Sequence, residues 1–255
     1  MTPERIAVAA LAALLASAAG LPRAPRLTRV ATAASTLALA LLLGLRWWRI
    51  GHGPVFGTFE TSLAATLVLC ASAPPLARRA GAAHARVAAG LAAVTLAHAL
   101  TLRSEPTPVT ISEQSLWIDL HAALAWIAWA AYLHGAALAF REGAAQALAV
   151  RALGLGFVAH GALGAVGAYY ASILFATPWQ WDPVQILGLL AWILIGVALH
   201  FRLFHGVSPR RQRWFIALGV AVFVLGAKAM PYLPAGQTFH VFELGAMAPE
   251  PGGNP

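Results

Sequence analysis

Charge is scarce in this chain. Of 255 residues only 10% are Asp, Glu, Lys or Arg, while 60% are hydrophobic. A soluble domain must cover itself with solvated groups, so this balance excludes one, and a mean hydropathy of +0.72 points the same way. Cysteine is almost missing. Cys70 stands alone within an apolar run, which rules out an intrachain disulfide and a dithiol redox pair and leaves a small core residue. No internal repeat is present; the recurring Ala/Leu runs are bilayer composition. The net charge of +8 and pI near 11 do not indicate nucleic acid, because the basic residues lie in short loops between apolar stretches.

What is present is a series of apolar segments at 5–22, 30–48, 58–76, 84–102, 116–140, 152–175, 183–204 and 214–232. Most approach the roughly 17–25 residues that a spanning helix needs. The expected fold is all-α, a polytopic transmembrane bundle of about eight helices forming one domain over 1–255, with 244–255 a flexible tail. The first segment has the look of a signal peptide, but Arg23, Arg26 and Arg29 follow it and oppose export, so it reads as a retained helix. The third is expected to end near Pro74-Pro75. Arg23, Arg26, Arg29, Arg78, Arg79, Arg86, Arg141, Arg151, Arg202, Arg210, Arg211 and Arg213 follow the odd-numbered segments. Eight acids, Glu4, Glu60, Glu105, Glu113, Asp119, Asp182, Glu243 and Glu250, fall on the other side. The positive-inside rule then places both termini on the outer, periplasmic side of a bacterial inner (cytoplasmic) membrane.

One membrane segment carries most of the chemical information. It opens W-Q-W-D-P-V-Q at 179–185 and closes L-H-F-R at 199–202. In an extended stretch Trp179 and Trp181 point the same way and form one apolar wall. Asp182 before Pro183 suits a helix N-cap followed by proline at the first helical position. Interfacial tryptophans on a capped helix are ordinary in membrane proteins. Nine histidines in so apolar a chain are not. His52, His98, His121 and His240 fall toward the outer side, His134 and His160 mid-helix, and His84, His200 and His205 toward the cytoplasm. A lone intramembrane histidine is as often a neutral group bonded to backbone as a ligand. Two converging from different helices can hold a haem iron axially. The chain lacks C-x-x-C-H, so it attaches no haem to itself. The small-residue run G-A-L-G-A-V-G at 161–167 reads as a helix-packing face.

The segment F-A-T-P-W-Q-W-D-P-V-Q at 175–185 resembles the tryptophan-rich signature of haem-handling cytochrome c assembly proteins, Trp-Gly-x-x-Trp-x-Trp-Asp-Pro-x-Glu. Leu199-His200-Phe201-Arg202 is similar to that family's Leu-His-x-Arg helix end. S-L-W-I-D-L-H at 115–121 resembles its Ser-x-Trp-x-x-x-His helix start, T-F-H at 238–240 its terminal Leu-His-Ser-Tyr-Gly, and F-E-T-S-L at 59–63, loosely, its Tyr-Glu-Ser-Leu. Order and spacing match the CcsA (ResC) branch of cytochrome c synthetases best, over about 56–243. The departures are Phe175-Ala176 for Trp-Gly, Gln185 for Glu, and Val-Phe-Glu after His240.

The resemblance implies that His121 and His240 are axial ligands of one haem at the outer face. His200 would be a transient iron ligand on the path from the cytoplasm, its mate lying on a CcsB-like (ResB-like) subunit. Trp179, Trp181 and Asp182 would belong to the haem-cradling loop. Haem b is then the transported substrate, apocytochrome c the client, and the chain the haem-presenting subunit of a haem lyase, with no nucleic-acid partner. Arg103, Arg46, Arg49 and Lys228 are candidate partners for the haem propionates, with Arg46 and Arg49 reading first as snorkelling anchors. The alternative is a divergent haem chaperone or regulator without attachment activity. A b-type electron-transfer cytochrome, in which His84 and His98 would hold stacked haems, is disfavoured because no second helix repeats their spacing.

Overall fold

A computed structural model describes residues 2–21, 25–53, 55, 57–106, 115–229 and 232. Among them are eight α-helices and no strand: α1 (Pro3–Ala19), α2 (Pro25–Ile50), α3 (Thr58–Ala80), α4 (Ala82–Ala99), α5 (Leu116–Ala139), α6 (Ala144–Phe175), α7 (Pro183–Phe204) and α8 (Pro209–Ala229). Local chemistry sets the boundaries. Proline, which gives up a backbone N–H that a first turn does not use, opens α1, α2, α7 and α8. Thr2, Ser115 and Asp182 cap α1, α5 and α7 through their side-chain oxygens. Gly81 alone links α3 to α4 at φ +88°, a left-handed conformation costly for any residue with a Cβ. One expected boundary is corrected: α3 runs through Pro74 and Pro75 to Ala80.

Five helices, α2, α3, α5, α6 and α7, are long and apolar enough to cross a membrane. The eight-segment expectation is met as helices, but three fall short of that standard. α1 has 17 residues, α4 carries Arg86 and two histidines in 18, and α8 opens on Arg210, Arg211 and Arg213. The helices form two neighbouring groups, α1–α4 and α5–α8, which meet mainly along α3 and α5. A single core runs through both, with Val8, Leu39, Phe59, Leu96, Tyr132, Leu153, Ile195 and Ile216 all buried. Outward faces remain apolar, as Leu41, Val158, Ile173 and Ile193 are exposed, which suits a lipid surround.

Polar contacts define the two ends. At one end Arg5 reaches the carbonyls of Leu100 and Leu102, and Tyr232 at the exit of α8 meets Thr101 Oγ1 at 3.0 Å. Arg46, at the end of α2, is 3% exposed and is ion-paired with Glu60 of α3 and, at 3.0 Å, with Glu4 of α1. It also donates to the Ser104 carbonyl at 2.9 Å and lies over the Phe59 ring. Arg46 is therefore a buried clamp between helices, not a snorkelling anchor, because two carboxylates draw it inward. Arg49 stays 63% exposed, 3.5 Å from Glu4. This is the acidic end. At the other end lie Arg78 and Arg79 in the last turn of α3, Arg202 in the last turn of α7, and Arg210, Arg211 and Arg213 at the start of α8.

Candidate functional site

Four motif residues gather toward the acidic end: His121 on α5, and Trp179, Trp181 and Asp182 in the loop between α6 and α7. His121 lies one and a half turns into α5, half-buried against α6, with Nδ1 3.1 Å from the Leu163 carbonyl. A carbonyl only accepts, so Nδ1 carries the hydrogen and Nε2 the lone pair. That is the state of a metal-ligating imidazole, whose other N–H is typically held by a carbonyl or carboxylate. Space for the ring comes from Gly167, where a Cβ would lie 2.7 Å from His121 Cε1 and 2.9 Å from Nδ1. The small-residue run thus has separate uses. Gly161 faces the Trp192 indole, Gly164 faces nothing within 4 Å, and Gly167 admits the imidazole. One turn before His121, Trp117 packs edge-on to Tyr169 at 4.7 Å, joining α5 to α6 again.

α6 ends eight residues beyond Gly167, about 12 Å farther along, and the tryptophan loop follows from Ala176. Its two indoles do not make the flat wall expected of an extended strand. Their centroids are 6.0 Å apart and their planes stand at 87°. The cause is backbone: Trp181 has φ +57°, which turns the chain and leaves its indole 76% exposed while Trp179 is half-buried. Ala176, at φ 55°, is the other non-glycine residue of positive φ among those described, so both lie in this loop. A left-handed residue with a side chain costs about 1–2 kcal/mol, and such strain concentrates at functional sites. Ala176→Gly is accordingly expected to stabilise the protein by about 1 kcal/mol. Thermal unfolding in detergent measures this, and a lowered midpoint would refute strain at 176.

Asp182 behaves as its position before Pro183 implies. It is 2% exposed and its Oδ1 accepts from the Val184 N–H at 2.7 Å. Gln185, which stands where the resembled motif has Glu, closes the loop on itself. Its Oε1 accepts from the Gln180 N–H at 3.0 Å and its Nε2 donates to Gln180 Oε1 at 2.8 Å. Gln180 Nε2 then donates to the Thr177 carbonyl at 2.9 Å. A carboxylate at 185 could accept but not donate, so this ladder depends on the amide.

His200 is not brought to this group. It lies eighteen residues along α7 from Asp182, about 27 Å away at the arginine-rich end. It is exposed, with Nε2 3.3 Å from Nε2 of His205 and its ring 5.0 Å from Phe204. His240 lies outside the described residues. His52 lines a cavity of about 260 Å³ at the acidic end with Trp47, Ser115 and Asp119.

The remaining histidines make pairs that sequence reading did not find. His134 Nε2 is 3.2 Å from the Leu69 carbonyl and 3.0 Å from Ser72 Oγ. It must donate to the carbonyl, so its Nδ1 accepts from Nε2 of the buried His84 at 3.1 Å. His160 meets Tyr132 Oη at 3.2 Å, and His98 lies 3.4 Å from that of Tyr232. His84 and His98 therefore serve different partners, which removes the geometric basis for stacked haems between them. No sequence signal marks the His84–His134 pair, whose members are fifty residues apart on separate helices.

A family model described as "Cytochrome C assembly protein" matches residues 29–228. Relatives named "Cytochrome c biogenesis protein CcsA" include one from Prochlorococcus marinus (strain MIT 9303), 24% identical over 249 residues, covering 76% of this chain and 77% of the relative. Another, from Synechococcus sp. (strain CC9605), is 25% identical over 242 residues, covering 76% and 79%. A third, from Chlamydomonas reinhardtii, is 25% identical over 221 residues, covering 76% and 62%.

Proposed function

The chain belongs to the cytochrome c assembly protein family, and from that premise we propose that it is the membrane subunit of a cytochrome c synthetase that presents haem at the acidic end of its bundle. The positive-inside rule makes that end the outer face, with both termini there, in the inner membrane of a bacterium. The whole chain acts as one haem-handling domain. Haem b is its substrate. His121 and His240 hold the iron axially, Trp179 and Trp181 lie against the porphyrin, and Asp182 fixes the loop by capping α7. His200 receives iron in transit at the arginine-rich end, its second imidazole coming from a CcsB-like subunit.

Attachment then needs only positioning. Two thiols of an apocytochrome C-x-x-C-H segment add to the two vinyl groups; each sulfur bonds one vinyl carbon and the thiol hydrogen passes to the other. Held together, these groups react as at very high effective concentration. No side chain of this chain serves as nucleophile.

The observation that carries this reading is the His121 imidazole, held by the Leu163 carbonyl in the glycine recess so that Nε2 bears the lone pair. The strained tryptophan loop above it is a second support. The test is purification in detergent with visible spectroscopy, together with cytochrome c maturation in cells. His121→Ala and His240→Ala are each expected to lower haem retention and maturation at least about tenfold. Wild-type spectra and full maturation in both would refute the ligand pair.

Gln185 and Ala176, which replace Glu and Gly of the motif, favour a second reading: a haem chaperone that delivers without attaching. Complementation separates the two, because only a synthetase subunit restores c-type cytochromes to a strain lacking its own.

A further inference from the structure

We propose that Lys228 forms a carboxylate-docking site inside the bundle that takes a propionate of the presented haem; this rests on the haem-presenting reading above. Lys228 is the chain's only lysine and sits in the last turn of α8. Its Nζ turns inward, donating to Ser62 Oγ of α3 at 2.7 Å and standing 4.9 Å over the Trp129 ring of α5. The Ser62 hydroxyl spends its hydrogen on the Thr58 carbonyl at 2.8 Å, so towards Nζ it can only accept. An ammonium has three N–H groups, and Ser62 takes one.

Among the described residues no carboxylate is paired with Lys228. Glu4 and Glu60 are instead paired with Arg46, and Glu4 also with Arg49. Trp129 adds a donor, since its Nε1–H is buried and meets no acceptor among the described residues. A cation with spare N–H groups beside an unmet indole N–H offers charge-assisted hydrogen bonds to a carboxylate.

The other bases at this end are committed or outside. Arg46 is clamped by two carboxylates, Arg49 is exposed beside Glu4, Arg5 is spent on backbone carbonyls, and Arg103 is exposed. The position also fits. Trp129 lies eight residues from His121 on α5, about 12 Å along the same helix.

The experiment is an absorbance titration of the full chain in lipid nanodiscs with haem and with haem dimethyl ester, which keeps the iron and loses both carboxylates. Wild type is expected to favour haem over the ester by at least about tenfold. Lys228→Met should abolish most of that preference by weakening haem alone, and Lys228→Arg should keep most of it. Trp129→Phe, which keeps the ring face and deletes the N–H, should weaken haem about threefold and leave the ester unchanged. If Lys228→Met loses haem and ester equally, or neither, the docking site is wrong while haem presentation stands. If wild type takes up neither ligand, both fall.

Discussion

With His121 as the proposed haem ligand, Gly167→Ala is expected to lower haem retention as thoroughly as replacing the histidine. The added methyl would sit 2.7 Å from Cε1 and 2.9 Å from Nδ1 of the imidazole, inside any permitted contact. The clash is with a ring wedged between two helices, so relief requires the imidazole to swing away from the Leu163 carbonyl. It then loses the hydrogen bond that fixes its tautomer and its aim. Loss of such a supporting contact lowers metal affinity about 10–100-fold, and haem retained per protein should fall by that order. Gly164→Ala, one turn earlier on the same helix, meets nothing within 4 Å and is expected to be silent. The pair separates a specific recess from a general demand for small residues on α6. Wild-type haem loading in Gly167→Ala, or equal damage from both, would refute the cradle.

The second large effect lies in the Arg46 clamp. Glu60→Leu leaves a guanidinium 3% exposed with one of its two carboxylates gone, and Arg46→Leu leaves Glu60, 4% exposed, without its cation. Removing one member of a buried pair typically costs about 3–5 kcal/mol, because the survivor keeps its desolvation penalty without compensation. Removing both together is far milder, since apolar side chains then fill the same space. The expected order of thermal stability in detergent is therefore wild type, then the Arg46→Leu/Glu60→Leu double variant, then either single variant. Glu4 softens the loss in Glu60→Leu, because it still pairs with Arg46 at 3.0 Å. Single variants within about 1 kcal/mol of wild type would mean the pair behaves like an exposed one.

These outcomes differ in how far the sequence alone anticipates them. The His121 helix start, the Asp182–Pro183 cap and the bounds of α7 are legible, because each follows from residues adjacent in the chain. The Trp179–Trp181 geometry is not. Side-chain alternation presumes an extended backbone, and the positive φ at Trp181 breaks it where no glycine gives warning. The Arg46 pairing is hidden for another reason: its partners lie 14 and 42 residues away on two other helices. α3 shows the limit of a strong local rule, continuing through two consecutive prolines.

By itself the sequence determines the solvent, the class and the punctuation of this protein. Sparse charge and long apolar runs require a bilayer, while proline starts and oxygen caps set the helix ends, since both depend on interactions within a turn or two. Tertiary structure alone decides which imidazole faces which partner. Each residue step rotates a side chain by about 100° around a helix, so the meetings of His84 with His134, of His121 with Gly167 and of Lys228 with Trp129 depend on how separate helices are turned and set against one another.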